Sequence, residues 1–116
     1  MIEWMLPLRL VSEGNLREHW TKKHKRHREQ LLLVKFAAQT NPKPTLPCSV
    51  TITRISPRSL DDDNMAFSCK SLRDYIADAL LPGLQMGRAD NDKRISWIYK
   101  QEKGKPQRVK IQFENV

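Results

Sequence analysis

The stretch that decides the fold is Cys-Ser-Val-Thr-Ile-Thr-Arg-Ile, residues 48–55, in which apolar and polar side chains alternate with a period of two. Its many β-branched residues predict a half-buried β-strand, which Pro57 ends. After this strand, apolar residues recur every three or four positions and predict a helix. These positions are Met65, Cys69, Leu72, Ile76, Ala79 and Leu80. Pro82 and Gly83 end the helix, so the centre of the chain is a strand followed by an amphipathic helix.

Upstream of this unit the sequence predicts one more strand and one more helix. Residues 4–11 alternate loosely and suit a first strand, in which Pro7 favours an edge position or a strand end. A long helix is predicted over residues 15–39, with Asn15 as its N-cap. Its apolar and histidine positions share one stripe: Leu16, Trp20, His24, His27, Leu31, Val34 and Ala38.

Downstream, residues 95–99 and 108–113 predict two further strands joined by a turn. The resulting order is β-α-β-α-β-β, which indicates one α/β (α+β) domain over residues 1–116. In that domain two helices accompany a single mixed sheet.

Composition narrows the class of protein. Apolar residues make up 39% and charged residues 29% of the 116 residues, and no apolar run approaches the ~20 residues of a membrane span. Residues 1–9 interrupt their apolar run with Glu, Pro and Arg, so no secretory signal is expected. Two cysteines, Cys48 and Cys69, do not make a disulfide framework. We therefore expect a cytoplasmic protein with reduced thiols and no membrane partner.

The charge is strongly basic and unevenly placed. Lys and Arg number 21 against 13 Asp and Glu, a net charge of +8, which favours polyanionic partners such as nucleic acid. Six basic residues lie in the first predicted helix: Arg17, Lys22, Lys23, Lys25, Arg26 and Arg28. Their density predicts a surface that faces DNA phosphates, and the alternative is a helix face that is merely solvated.

The acidic residues form a second cluster. Asp61, Asp62 and Asp63 are adjacent in a basic protein, and Asp90 and Asp92 precede the strand at residue 95. If the triplet is extended, Asp61 and Asp63 point to the same face. Their oxygens would then suit a hard cation, Mg²⁺ or Mn²⁺. The alternative is that the triplet only caps the helix that follows.

Lysine and histidine side chains could assist such a site. Lys70 lies seven residues after Asp63, close to two helical turns, and so returns to nearly the same helix face; a solvated surface lysine is the alternative. His24 and His27 share a face and could bind zinc, but no Cys-x-x-Cys partner accompanies them or His19. Packing at the core boundary or further phosphate contacts are the other roles considered for these histidines.

Three segments in this order resemble the RusA-like Holliday junction resolvases of phages and prophages: Leu60–Met65, Lys70–Asp74 and Asp90–Ile95. That family shows Asp-x-Asp-Asn entering a helix, a lysine on the helix, and a further Asp shortly before a strand. The opening residues 6–8, which lead to Asn15 and a basic helix with Trp20, are also similar to the family. The lysine departs from the pattern, because it follows the second Asp by seven residues rather than four, and Phe67 occupies the nearer position.

The resemblance implies a homodimeric endonuclease that needs Mg²⁺ and makes paired, symmetric nicks in four-way DNA junctions during recombination and repair. Asp61 and Asp63 would be metal ligands and Lys70 the catalytic lysine, while either Asp92 or Asp90 would be the third carboxylate. The implied DNA-binding residues are Asn15, Lys22, Lys23, Lys25, Arg26 and Arg28, and no small-molecule cofactor is expected. The rival functions are a non-catalytic DNA-binding protein, and a nuclease for RNA or for branched DNA without junction preference.

Overall fold

The structure is a computed structural model that describes residues 1–11, 20–84 and 89–115. The elements follow one another in the order β1 (Ile2–Leu6), α1 (Trp20–Thr40), β2 (Cys48–Ser56), α2 (Asp62–Ser68), α3 (Lys70–Leu80), β3 (Ile95–Lys103) and β4 (Arg108–Asn115). A single 3₁₀ turn, Ala89–Asn91, precedes β3. The predicted mixed sheet with accompanying helices is confirmed, and the second predicted helix is present as two helices, α2 and α3.

The four strands form one mixed sheet in the order β1-β4-β2-β3. β2 and β3 are parallel, while β4 is antiparallel to both β1 and β2. Because β2 lies between β3 and β4 in the sheet, the connection from β3 to β4 crosses the end of β2. Gly104 permits this close passage: its N–H donates to the Ser56 carbonyl at 3.2 Å, and a Cβ here would lie 2.9 Å from Ile55 Cγ2.

One face of the sheet and the helices enclose the core. A row of paired residues crosses that face from strand to strand: Trp4, Ile111, Ile52 and Tyr99. Trp4 is fully buried and meets the Phe113 ring edge-on at 4.6 Å. β1 is an edge strand that ends just before Pro7, as a residue without an N–H donor favours. The strand is thus shorter than the predicted 4–11, although Leu8 and Leu10 are still buried.

The first helix differs from its predicted stripe. Its buried residues are Gln30, Val34, Ala37 and Ala38, so burial is confined to the C-terminal half of α1. Trp20 is 64% exposed and stacks edge-to-face on the exposed His24 instead of entering the core. The predicted stripe was wrong here, because the helix reaches the sheet only after its basic turns. The predicted cap Asn15 and Leu16 lie outside the described residues.

The second predicted helix is interrupted at Cys69. The Ser68 hydroxyl donates to the Met65 carbonyl at 2.7 Å, and the Cys69 N–H donates to the Ala66 carbonyl at 3.2 Å, which closes α2 with tight turns. α3 then begins at Lys70. The predicted apolar positions Met65, Cys69, Leu72 and Ile76 are nevertheless all buried. In the part of the chain that the structure describes, no helix combines the length and apolar character of a membrane span.

Candidate active site

The acidic segment is held in place from β3. The Gln101 side chain makes two hydrogen bonds to the backbone of Leu60. Its Oε1 accepts from the Leu60 N–H at 2.8 Å, and its Nε2 donates to the Leu60 carbonyl at 2.7 Å. Leu60 is the last residue before the aspartates. This clamp therefore ties the start of α2 to the edge strand of the sheet.

The three aspartates do not follow the predicted extended path. Asp61 caps α2 and accepts a hydrogen bond from the Asn64 N–H at 3.2 Å, while Asp62 and Asp63 already lie in the first helical turn. Helical geometry separates their directions. Asp62 lines a surface cleft beside Tyr99 and Lys100, whereas Asp63 lines a different one. The prediction that Asp61 and Asp63 share an extended face was wrong.

We call the cleft that contains Asp63 the carboxylate cleft. It has a volume of about 480 Å³ and is lined by Asp63, Ala66, Phe67, Lys70, Arg73, Asp90, Asn91 and Tyr99. Three residues predicted from the sequence, Asp63, Lys70 and Asp90, thus meet on one surface. Lys70 is at the cleft even though the helix breaks at Cys69, since α3 begins with this residue.

Arg73 and Trp97 fix the position of Asp90. The Arg73 guanidinium donates to the Asp90 carbonyl at 3.0 Å and to the Tyr99 hydroxyl at 2.9 Å, and it lies 4.9 Å from the centre of the Trp97 ring. The Trp97 indole N–H donates to the same Asp90 carbonyl at 3.1 Å. Arg73 Nε also lies 3.7 Å from the Asp90 carboxylate. Arg73 and Trp97, both partly buried, therefore hold the Asp90 main chain in place beside the cleft.

Asp74 is a member of this group that the sequence pattern did not single out. Partial burial, followed by the charge and the hydrogen bond of the nearby Asp90 carboxyl, raises the pKa of Asp74 to about 6. Asp78 adds repulsion, and the Lys70 ammonium acts in the opposite direction. The available signal was its place four residues after Lys70, on the same face of α3.

Asp92, the other candidate for the third carboxylate, faces its own turn. Its oxygens accept from the Arg94 guanidinium at 2.9 and 3.0 Å and from the Arg94 N–H at 2.9 Å. These hydrogen bonds hold the pKa of Asp92 at about 2. Asp92 is absent from the lining of the carboxylate cleft, so the structure brings Asp90 rather than Asp92 to Asp63.

The carboxylates of the site form a limited donor set for a metal ion. Within residues 1–11, 20–84 and 89–115, no three acidic, histidine or cysteine side chains lie close enough together to hold one. Mg²⁺, however, commonly uses one or two carboxylates and keeps several waters. Asp74 and Asp90 fit that requirement, because two carboxyl groups that share a hydrogen bond are stabilised in their ionised forms by a cation.

The basic helix α1 lies beside this site. Ser71 on α3 donates to the buried Gln30 of α1 at 2.6 Å, which joins the two helices. Lys23 and His27 line a groove of about 270 Å³ together with Lys70, Asp74 and three neighbours, Phe67, Ser71 and Tyr75; we call it the interhelix groove.

The remaining basic residues of α1 point elsewhere. Lys22, Lys25 and Arg26 line a separate cleft of about 440 Å³ against residues 7–9, which we call the α1 cleft. Arg28 is exposed. The predicted DNA-binding set is therefore divided between two neighbouring surfaces, and Asn15 falls outside the described residues.

Comparison with family models, with curated proteins and with solved structures found no match to this chain. The site therefore has to be interpreted from its own geometry. Of its residues, Asp63, Lys70 and Asp90 were predicted, and Asp74, Arg73 and Gln101 were missed. The last two act through contacts between distant segments, which sequence spacing does not reveal.

Proposed function

We propose that the protein is a Mg²⁺-dependent, structure-specific endodeoxyribonuclease that nicks four-way DNA junctions, as its resemblance to RusA-like resolvases implies. The observation that carries the proposal is the hydrogen-bonded pair Asp74 and Asp90, beside Asp63 and Lys70 and next to a lysine-rich helix. Carboxylates that could bind a cation, placed among lysines that could bind phosphates, form a combination suited to metal-dependent phosphodiester hydrolysis.

The ion would be held by Asp74 and Asp90, with Asp63 across the carboxylate cleft, and Mn²⁺ is expected to substitute for Mg²⁺. When bound, it would supply charge neutralisation at the scissile phosphate and lower the pKa of a coordinated water. Asp61 was also predicted as a ligand. One of its oxygens accepts from the Asn64 N–H, and Asp61 is not among the residues that line the carboxylate cleft, so it is not part of the ligand set proposed here.

The chain's own groups would perform the remaining steps. Asp74 and Asp90 would hold the ion in their ionised forms, so the attacking water would lose its proton to solvent. The water oxygen would bond to phosphorus, one ester P–O bond would break, and the leaving oxygen would take up a proton from solvent. Lys70 would offset the negative charge that grows on the phosphoryl oxygens, and Arg73 would keep Asp90 oriented.

Substrate binding is assigned to α1. Its lysines would hold backbone phosphates beside carboxylates that would otherwise repel DNA. A homodimer would place two such sites in two-fold symmetry and so produce paired nicks. A cytoplasmic location fits a DNA substrate and the two buried free thiols, Cys48 and Cys69.

The decisive experiment is cleavage of a synthetic four-way junction with Mg²⁺. We expect nicks in two opposing strands, no product in excess chelator, and no product from Asp63→Asn even though junction binding is retained or tightened. Asp62→Asn is the matched control, because Asp62 faces a different cleft. Linear duplex DNA and single-stranded RNA in the same assay test the substrate class. Full activity of Asp63→Asn, or full activity in chelator, would refute the nuclease assignment.

The second candidate is a non-catalytic DNA-binding protein, and one contact favours it. Asp61 caps α2 with a hydrogen bond to the Asn64 N–H, which is the role expected if the acidic triplet only stabilises a helix. That role does not account for the pairing of Asp74 with Asp90. Tight junction binding without Mg²⁺-dependent cleavage would select this candidate.

A further inference from the structure

Three arginines converge where β2 ends. Arg9, Arg54 and Arg58 line a pocket of about 400 Å³, which we call the arginine pocket. Its other lining residues are Ser56, Pro57, Ser59, Leu60 and Gln107. None of these residues is acidic. The described ion pairs of the chain likewise leave all three arginines without a carboxylate partner.

Arg54 is buried, with 8% of its surface exposed, although its neighbours on the core side of β2 are apolar. Its Nε donates to the Leu10 carbonyl at 3.2 Å, and one terminal nitrogen donates to the Arg58 carbonyl at 2.6 Å. A guanidinium has five N–H donors, so main-chain carbonyls engage two and leave others for the pocket. A buried charge without a counterion is costly, and an apolar residue would continue the core more stably.

The charges also repel one another. Burial and the positive charge of Arg9 lower the pKa of Arg54, while the guanidinium nevertheless stays protonated in neutral solution. Within the described residues, the other titratable group that interacts with Arg54 is Cys69, and burial raises the pKa of Cys69 to about 11, so this thiol is neutral at pH 7 and supplies no counterion. An anion in the pocket would relieve both the repulsion and the burial cost.

We propose that the arginine pocket binds a backbone phosphate of the DNA, an inference that rests on the proposed function. Guanidinium groups match the geometry of phosphate oxygens with paired hydrogen bonds. Arg9 and Gln107 also line the α1 cleft with Lys22 and Lys25, so the pocket continues the basic surface of α1.

The pocket also adjoins the acidic segment in the chain. Leu60 lines it and is followed directly by Asp61. A phosphate bound there would lie between α1, which is proposed to hold the DNA, and the carboxylates that are proposed to take part in cleavage. The pocket therefore selects the path of the strand outside the carboxylate cleft.

The test compares two double variants of equal charge. Arg9→Gln with Arg58→Gln empties the rim of the pocket and leaves the buried Arg54 in place. Lys35→Gln with Lys43→Gln removes the same charge at two exposed positions that do not line it. All measurements are made in chelator, so cleavage is not required.

The first readout is the Arg54 Nε–H signal in NMR spectra during titration with inorganic phosphate and then with a four-way junction. We expect a saturable shift in the wild type and in the lysine variant, and none in the arginine variant. The second readout is junction affinity by fluorescence anisotropy. Affinity should fall about tenfold in the arginine variant, and the slope of log K against log salt should decrease by about 0.9 for each phosphate that the variant no longer neutralises.

Two results would overturn the proposal: an Arg54 signal that neither phosphate nor DNA moves, or equal losses of affinity in both variants, which would mean that only the total charge matters. A wild-type protein that binds DNA through this pocket but never cleaves with Mg²⁺ would refute the nuclease assignment while supporting the phosphate site. The phosphate-site proposal and the nuclease assignment can therefore be refuted independently of each other.

Discussion

Asp74 on α3 and Asp90 in the turn before β3 place their carboxyl groups close enough to interact, and partial burial, followed by the charge and the hydrogen bonding of Asp90, raises the pKa of Asp74 to about 6. Two neighbouring carboxylates repel each other, so ionising the second carboxyl group costs free energy. The pair therefore responds to protonation, and it joins the interhelix groove, which Asp74 lines, to the carboxylate cleft, which Asp90 lines.

The pair should make stability depend on pH. An ordinary Asp has a pKa near 3.9, so between pH ~4 and ~6 the folded chain holds a proton that the unfolded chain has lost. Stability in chelator should then fall as pH rises through this window and level off above it. Asp92 titrates near pH 2 and contributes below the window. Urea unfolding at pH 4.5, 5.5, 6.5 and 7.5 measures the slope, and Asp74→Asn should flatten it.

The same experiment with Mg²⁺ tests the cation. The ion competes with the shared proton, so Mg²⁺ should raise the unfolding midpoint more at pH 7.5 than at pH 4.5. Asp74→Asn should lose this difference. An undiminished slope in the variant would assign the pH dependence to other groups.

The two candidates for the third carboxylate can be separated by paired variants. Asp90→Asn should lower the rate of junction cleavage by at least about 100-fold, because it removes a proposed ligand. Asp92→Asn should stay within about twofold of the wild type, since Asp92 only closes a turn through Arg94. Single-turnover cleavage with saturating protein measures both. The reverse order would restore Asp92 as the ligand and contradict the geometry of the cleft.

The Leu60 clamp predicts a link between stability and activity. Gln101→Ala removes two hydrogen bonds at 2.7 and 2.8 Å and should lower the free energy of unfolding by about 1–3 kcal/mol. Cleavage should also fall, and by more than junction binding, because the clamp positions the aspartates and does not contact α1. Gln112→Ala, on strand β4 with an exposed bond to Glu3, is the control and should cost less than about 0.5 kcal/mol. A Gln101 variant with wild-type cleavage would show that the clamp is structural alone.

The basic residues on both surfaces of α1 are expected to contact DNA phosphates. Replacing Lys22, Lys23, Lys25 and Arg26 together with Ala should weaken junction binding and flatten its salt dependence by about 0.9 for each phosphate left without a basic partner. Lys35→Ala lies on the same helix beyond this region and should change neither quantity. Anisotropy titrations from 50 to 300 mM salt provide the measurement. An unchanged slope would place the phosphate surface on another part of the protein.

Much of the fold was predictable because it rests on local patterns. Alternation over residues 48–55 predicted β2, and the three-to-four spacing predicted the buried face of α2 and α3. The order of elements followed from the same patterns. Trp20 was misplaced because spacing shows which residues share a helix face, and it does not show how much of the helix reaches the sheet.

The candidate site likewise combines features that follow from the sequence with features that depend on tertiary structure. The basic character and the acidic segment depend on the charges along the chain, and the sequence by itself determined them. Lys70 and Asp63 were also predicted to meet, but they do so across the break at Cys69 and not along one continuous helix. Tertiary structure alone decided that Asp90 faces the cleft while Asp92 turns to Arg94, and that Asp74 meets Asp90. The physical reason is that the charge of one carboxyl group shifts the pKa of another on a separate element only when packing brings the two groups together. The position of Asp90 depends on the hydrogen bonds that Trp97 and Arg73 donate to its carbonyl, and the spacing of residues along the chain does not reveal these contacts.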